Sequence, residues 1–535
     1  MAIPSESLSR ISDRGTGARI CGMSDSAGAT AVPKDTPDPA ATLPTTSHRV
    51  LRHIAGSDVT KIVALVVILS WLPLSSVPWH ALTDTDIWWR LRSGEWITQH
   101  HHLPTIDPFS TTGADRPWIA YSWTFDVLMY QLAHNWDLAG VVAFEMLMWV
   151  LVTASLLHLL YGVLQHFWRS VALAGIGGFV LIRAIGPRPG SFNVLFFIWE
   201  LDLLLRAERS GNKRLLLFVP MLLWIWANVH LQSVYGLVLL GIFCAEPLVA
   251  RILGLSHEDK DPRIPSRWLW SLLAASFALT FITAYGAGQY KVWADVFHEA
   301  RMYRHINEMR PMDFTLPLHY VLAILLPVSA LLAGRLRRLR PTWIFLAIWG
   351  TLLSMRTERD IWLGTVISLT LIAVAMQEKS PAAERVQRSV WLAAAAGVML
   401  VLVFALKTGP TNRQIVASVA QEMPVGAVAY IHEHHLQGPM FNDFDWGGYL
   451  IYALPEIPVS IDGRTNVHTE AQVERSLATW NLWTEWDGDP LLQRANVVVA
   501  QRKFPLTFAL VKDPHFKAVF DDGVGIVLLR VAPAK

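Results

Sequence analysis

Asp84-Thr-Asp86, followed at once by Ile-Trp88-Trp89-Arg, is the densest piece of chemistry in this 535-residue chain. Two carboxylates one residue apart stand directly after the first apolar stretch. Charge so near hydrocarbon is kept only where it has a partner, water or a task. One carboxylate can act as general base, taking the proton from an attacking hydroxyl. Both can share a divalent metal, Mg or Mn, because hard cations take oxygen ligands. Helix capping explains Asp86 alone equally well; for the pair at this place, chemistry is the preferred reading. Arginines recur at other boundaries of apolar stretches: Arg183 and Arg188 in one, Arg356 and Arg359 in another. The guanidinium fork matches phosphate oxygens, and pairing with Glu358 or Asp360 is the competing account. Asn228 and His230, at the end of another stretch, can line the same cavity.

Other polar clusters read as structure. His100, His101 and His102 are adjacent on an expected helix, where neighbours point about 100° apart and cannot converge on one ion. His432-Glu433-His434-His435 lacks the i, i+4 histidine pair of zinc proteases. Both are expected helix ends. Two C-terminal stretches, Phe441-Asn-Asp-Phe-Asp-Trp-Gly-Gly-Tyr449 and Ser460-Ile-Asp-Gly-Arg464, are dense in polar, aromatic and glycine residues. Such stretches suit sugar binding, but a tight turn packed on a sheet is preferred. Asp462 and Arg464 are expected to pair with each other or with the first cluster.

These residues must be held by membrane helices. The chain is 53% hydrophobic and only 16% charged, where a soluble protein carries about a quarter charged residues. Eleven apolar stretches are expected spans: 61–80, 138–162, 168–185, 191–206, 214–230, 232–250, 267–285, 316–334, 342–356, 361–377 and 389–407. Loops rich in Lys and Arg stay cytoplasmic. Those around 49–61, 206–214, 335–340 and 379–388 fall on one side if eleven spans alternate. The N-terminus is then inside, and Asp84, Asp86, the loop 286–314 and everything after 408 are outside. The formal net charge of +2 is spread over short loops and gives no reason to expect nucleic acid. The expected surroundings are a lipid bilayer. Cys21 and Cys244 are placed too differently to pair.

Residues 1–58 are a Ser-, Thr-, Pro- and Ala-rich cytoplasmic tail, expected to be disordered. The first apolar run lacks a cleavage pattern and reads as an uncleaved span. The outer loop 81–137 should hold helices near 87–100 and 118–134, with a turn at Asp107-Pro108. A short helix is expected at 291–304. Residues 411–535 read as a soluble α/β domain: helices at 415–434, 473–483 and 504–512, strands at 450–452, 458–462 and 496–500, and a hairpin pairing 516–520 with 526–531. The fold class is therefore a polytopic α-helical membrane protein, with a transmembrane part at 59–410 and an extracytoplasmic α/β domain at 411–535.

The acidic motif, continued as Arg-Leu-Arg-Ser-Gly-Glu-Trp-Ile and then Leu-Pro-Thr-Ile-Asp-Pro-Phe-Ser, resembles membrane glycosyltransferases of the GT-C class. It looks like the bacterial, dolichyl-phosphate-mannose mannosyltransferase-like group. The two C-terminal stretches are similar to the same group. The resemblance implies a polyprenyl-phosphate or polyprenyl-pyrophosphate sugar donor, transfer at the outer face of the cytoplasmic membrane, and an acidic base in the first outer loop. Asp84 matches that base, with Asp86 as second choice or metal partner. By position, Arg356, Arg359 or Arg188 would meet the donor phosphate, and Trp88, Trp89 and His230 would seat the lipid and sugar. The acceptor, whether glycan, lipid or protein, stays open. The chain lacks the Trp-Trp-Asp motif of oligosaccharyltransferases, which argues against asparagine-linked transfer. A transporter or flippase of lipid-linked intermediates, marked by carboxylates buried mid-span, is one alternative. A non-catalytic envelope assembly protein is the other.

Overall fold

A computed structural model describes residues 56–80, 82, 84–254, 264–298, 306–336, 340–377 and 384–531. The expected N-terminal tail, Cys21 and the second half of the helix expected at 291–304 lie largely outside these residues. The order of helices is α1 (Asp58–His80), α2 (Asp86–His100), α3 (Trp123–Leu164), α4 (Phe167–Val180), α5 (Gly190–Ser210), α6 (Phe218–Val229), α7 (Ser233–Ile252), α8 (Ser266–Leu279), α9 (Gly288–His298), α10 (Pro317–Ala333), α11 (Pro341–Arg356), α12 (Ile361–Gln377) and α13 (Arg388–Thr408).

Every stretch that hydropathy marks as a span carries a helix. Five described helices are long and apolar enough to cross a membrane: Asp58–Ser75, Trp123–Leu164, Ser233–Ile252, Glu358–Gln377 and Arg388–Thr408. Of the others, α5 is as long, at 21 residues, but carries more charge, and α6 is only 12 residues. Val63, Val67 and Trp71 on α1, and Leu392, Met399, Leu400 and Phe404 on α13, point outward and are exposed. Such continuous apolar faces are unstable in water and suit hydrocarbon. Ion-paired residues flank α5 at both ends. Arg188 stands before its first turn, and Glu208 near its last turn binds Arg340 at 2.8 and 2.9 Å. The helix rise of 1.5 Å per residue separates Gly190 from Glu208 by about 27 Å, close to a hydrocarbon core.

α3 is broken at Trp136 and Asp137, where Asp137 has φ 51°. The break divides a first segment, which packs on α2, from the long apolar one. A Cβ at Gly140 would lie 2.4 Å from the Leu132 carbonyl oxygen, so the bend leaves room only for glycine.

The C-terminal part continues through α14 (Asn412–Val419), α15 (Val425–Glu433), β1 (Met440–Asn442), α16 (Phe444–Ala453), α17 (Glu470–Trp480), α18 (Pro490–Arg494), β2 (Val497–Gln501), α19 (Pro505–Lys512), β3 (Phe516–Asp521) and β4 (Gly525–Arg530). The sheet order is β1-β2-β4-β3, with β1 parallel to β2 and the other pairs antiparallel. The apolar run of β2 is buried on both faces. Val497 and Val499 join the large core shared with the membrane helices, while Val498 and Ala500 face a second core with Trp480, Leu506 and Leu510. From Ser57 onward the chain groups as one unit.

Three expected elements differ. Residues 450–452 lie inside α16 rather than in a strand. Asp443 accepts hydrogen bonds from the Asp445 and Trp446 amides at 3.0 and 3.2 Å and so starts a helix there. Residues 458–462 form only a single bridge, Val459 to Ser110 of the outer loop. The helix expected at 415–434 is interrupted at 420–424, where Pro424 lacks the N–H a continuous helix needs.

Candidate active site at the acidic motif

Asp84 both caps and pairs. Its Oδ1 accepts from the Asp86 amide at 3.0 Å, starting α2. Its Oδ2 accepts from Arg188 Nε. The Asp84 side chain is only 8% exposed, while Arg188 keeps a rim in the open. Asp86 accepts from Trp89 Nε1 through Oδ1 at 3.0 Å. Burial, joined by the charge of Asp84, pushes its carboxyl up to about 6, against the pull of Arg90 and Arg188.

Arg188 continues the network. Its Nη1 donates to Glu308 Oε2, and Arg359 Nη2 donates to Glu308 Oε1. Four segments distant in sequence thus form an alternating series: Asp84, Arg188, Glu308, Arg359. Burial works against ionised Glu308, but Arg359 and Arg188 bring it down to about 2. Beside this series Glu358 is 3.3 Å from Arg183. His230 contacts Asn193 Oδ1 through Nδ1 at 3.0 Å and meets the edge of Tyr121. Arg356 is exposed at the end of α11 and has no ion-pair partner among the described residues.

α2 is fixed from below by α3. Arg90 donates to Asp126 at 3.0 Å, and both are buried. A Cβ at Gly94 would lie 2.1 Å from the Asp126 carbonyl oxygen, so this glycine sets the close approach.

The two C-terminal stretches pack against the acidic motif. Gly448 packs against the Thr85 carbonyl and Trp89, and Gly463 against Asp86; added Cβ atoms would lie 2.7 Å from Thr85 O and 2.8 Å from Asp86 Oδ1. Arg464 donates to Asp462 from Nε at 2.8 Å and Nη2 at 2.7 Å, and to Asp107 of the outer loop from Nη1 at 2.6 Å. Its guanidinium also lies over Trp118, 4.7 Å from the ring centre. The expected pairing of Asp462 with Arg464 is present, and it extends to His468, whose Nε2 is 3.0 Å from Asp462.

The structure therefore joins Asp84, Asp86, Arg188 and Arg359 in one network. It does not make Trp88 and Trp89 open stacking platforms. Trp88 is buried edge-on against Tyr449 at 5.0 Å, and Trp89 is buried under Arg90. Sequence reading did not single out Glu308, Arg90 or Asp126. Glu308 is one acid in a mixed-charge loop, with no spacing signal. Trp-Trp-Arg and the helix that carries Asp126 were both visible, but not that Arg90 and Asp126 meet. The pair expected to share Mg or Mn has three of its four oxygens engaged, one by a guanidinium. Among the described residues no three His, Cys, Asp or Glu side chains converge. The Arg188 guanidinium sets a positive charge beside the pair.

No protein-family model matches the chain, and no curated protein matches its sequence. Solved structures do. The archaeal oligosaccharyltransferase AglB from Archaeoglobus fulgidus, in complex with an inhibitory peptide and a dolichol-phosphate, superposes with TM-score 0.51 at 11% identity, over 82% of this chain and 69% of that one. The chain has a GT-C fold. The apo form of the Archaeoglobus fulgidus oligosaccharyltransferase gives TM-score 0.49 at 13% identity, over 82% and 69% of the two chains. The likeness reaches the GT-C class and stops short of the mannosyltransferase-like group.

Proposed function

We propose that this protein is a membrane glycosyltransferase that moves a sugar from a polyprenyl-phosphate-linked donor to an acceptor at the outer face of the cytoplasmic membrane. One observation carries the reading: a carboxylate pair at a membrane-helix mouth is linked through Arg188 and Glu308 to a second arginine, Arg359. A carboxylate to activate an acceptor and guanidiniums to hold a phosphate thus share one site. The fold supports it, and the dolichol-phosphate bound to the archaeal relative is a lipid phosphate of the same class.

In this reading Asp86 is the base. Both oxygens of Asp84 are engaged, whereas Asp86 Oδ2 has no hydrogen bond among the described residues. A carboxyl at about 6 is mostly ionised at neutral pH yet basic enough to accept a proton. Asp86 takes the proton of the acceptor hydroxyl as its oxygen bonds to the anomeric carbon. The bond from that carbon to the phosphate oxygen breaks, and its electron pair leaves with the polyprenyl phosphate. Arg188 and Arg359, with Arg356 nearby in sequence, offset the charge that develops there. The anomeric configuration inverts.

The test is release of polyprenyl phosphate from a panel of radiolabelled polyprenyl-phosphate hexoses in membranes holding equal amounts of wild type, Asp86→Asn and Asp84→Asn. Loss of release in Asp86→Asn at unchanged abundance is expected; undiminished release refutes the reading. A transporter remains the second reading because of Glu200. It lies midway along α5, fully buried, with both carboxyl oxygens unpartnered among the described residues.

A further inference from the structure

Two guanidiniums from separate segments converge on one acidic side chain at the rim of the site. Arg188 stands in the turn before α5, and Arg359 in the turn after α11. Each donates to a different oxygen of Glu308. Two cations held this close repel each other unless an anion lies between them. A carboxylate spanning two forks presents the same pair of oxygens that a phosphate group presents. Glu308 is not rooted in the core. It sits in the short turn Asn307–Met309 with its side chain 27% exposed. The turn is tethered nearby, where the Glu358 amide donates to the Arg310 carbonyl at 2.9 Å. The side chain can therefore swing toward water while its backbone stays in place. On its far side Arg188 also holds Asp84, so whatever replaces Glu308 lies beside the acidic motif.

We propose that Glu308 is a stand-in for substrate: its carboxylate fills the seat of a phosphate ester between Arg188 and Arg359, and the lipid phosphate binds by displacing it. This rests on the reading of those arginines as the phosphate site and adds the competitor built into it. The same exchange run backwards helps the product leave. As polyprenyl phosphate departs, Glu308 returns and the two arginines are never left facing each other without an anion. Glu308 is ionised throughout the neutral range, so the competition is between two anions and not between an anion and an acid.

The consequence is measurable without turnover. Farnesyl phosphate serves as a soluble probe of the lipid phosphate, and inorganic phosphate as the headgroup alone. Binding of each is measured by titration calorimetry on the full chain in detergent micelles. Glu308→Gln keeps the size and removes the competing charge; Glu308→Ala is the second variant, and melting curves confirm that both are folded. Both variants should bind farnesyl phosphate about tenfold more tightly than wild type, a change of about 1.4 kcal/mol. A parallel gain for inorganic phosphate supports the same seat and assigns the gain to the headgroup; a gain confined to farnesyl phosphate supports it with the lipid required. Unchanged or weaker binding of farnesyl phosphate by both folded variants overturns the role of Glu308. Arg188→Ala and Arg359→Ala separate this from the functional reading. If both bind farnesyl phosphate as wild type does, the phosphate seat itself is wrong. If they lose it while the Glu308 variants are unchanged, only the stand-in fails.

Discussion

Replacing Arg464 tests whether the C-terminal segment is part of the site or merely appended to it. Arg464→Met keeps the volume of the side chain and removes its charge. It deletes hydrogen bonds of 2.8 and 2.7 Å to Asp462 and of 2.6 Å to Asp107, whose carboxylates are completely buried. Hydrogen bonds to charged groups contribute about 1.5–3 kcal/mol each. Part of that gross loss is offset because Asp462 retains His468. Removing one partner of a buried ion pair costs about 3–5 kcal/mol net, and that is the expected destabilisation. Thermal unfolding in micelles should show a lowered midpoint, and the outer loop around Asp107 should become open to protease. A cycle with Asp107→Asn sharpens the test. The double variant should be less destabilised than the sum of the singles by about 1–3 kcal/mol, because both changes remove one contact. Strict additivity, or a single variant within about 0.5 kcal/mol of wild type, would refute the argument that Arg464 ties the outer loop to the C-terminal sheet.

Other outcomes follow from the same geometry. Asp86 lies at about 6, above the ordinary carboxylate value, and a base acts only when ionised, so transfer should rise with pH through about 6 and level off above it. Asp84→Asn removes a neighbouring negative charge and should move that limb to lower pH in whatever activity remains; an unmoved limb in pH–rate profiles contradicts the coupling. Gly448→Ala forces a Cβ to 2.7 Å from the Thr85 carbonyl, a backbone atom with little freedom. It should cost about 1–3 kcal/mol by overpacking and lower turnover more than donor affinity, read as kcat against KM. Glu200→Gln should leave release of polyprenyl phosphate at the wild-type rate; a loss of release at unchanged abundance would contradict this.

The helices were legible because apolar stretches of this length have few other uses, and β2 because a short run of valines flanked by turns suits a strand covered on both sides. The strand expected at 450–452 failed for a local reason: its composition is β-like, but the Asp443 cap begins a helix. The site was legible in part. Asp84 and Asp86 announce themselves by spacing beside an apolar run, and Arg188 and Arg359 by standing where a cation is disfavoured. Nothing local marks Glu308, since its meaning comes from two arginines more than 50 residues away on either side. The glycines of Asp-Trp-Gly-Gly-Tyr and Ile-Asp-Gly-Arg were visible as motifs. Their role at Thr85 and Asp86 depends on a tertiary contact that periodicity cannot express.

A structure of the full chain bound to a non-hydrolysable polyprenyl-phosphate sugar analogue tests the central claim most directly. The phosphate should lie between Arg188 and Arg359, with Glu308 displaced and the anomeric carbon facing Asp86. A phosphate bound elsewhere, with the Asp84–Arg188–Glu308–Arg359 series intact, would contradict it.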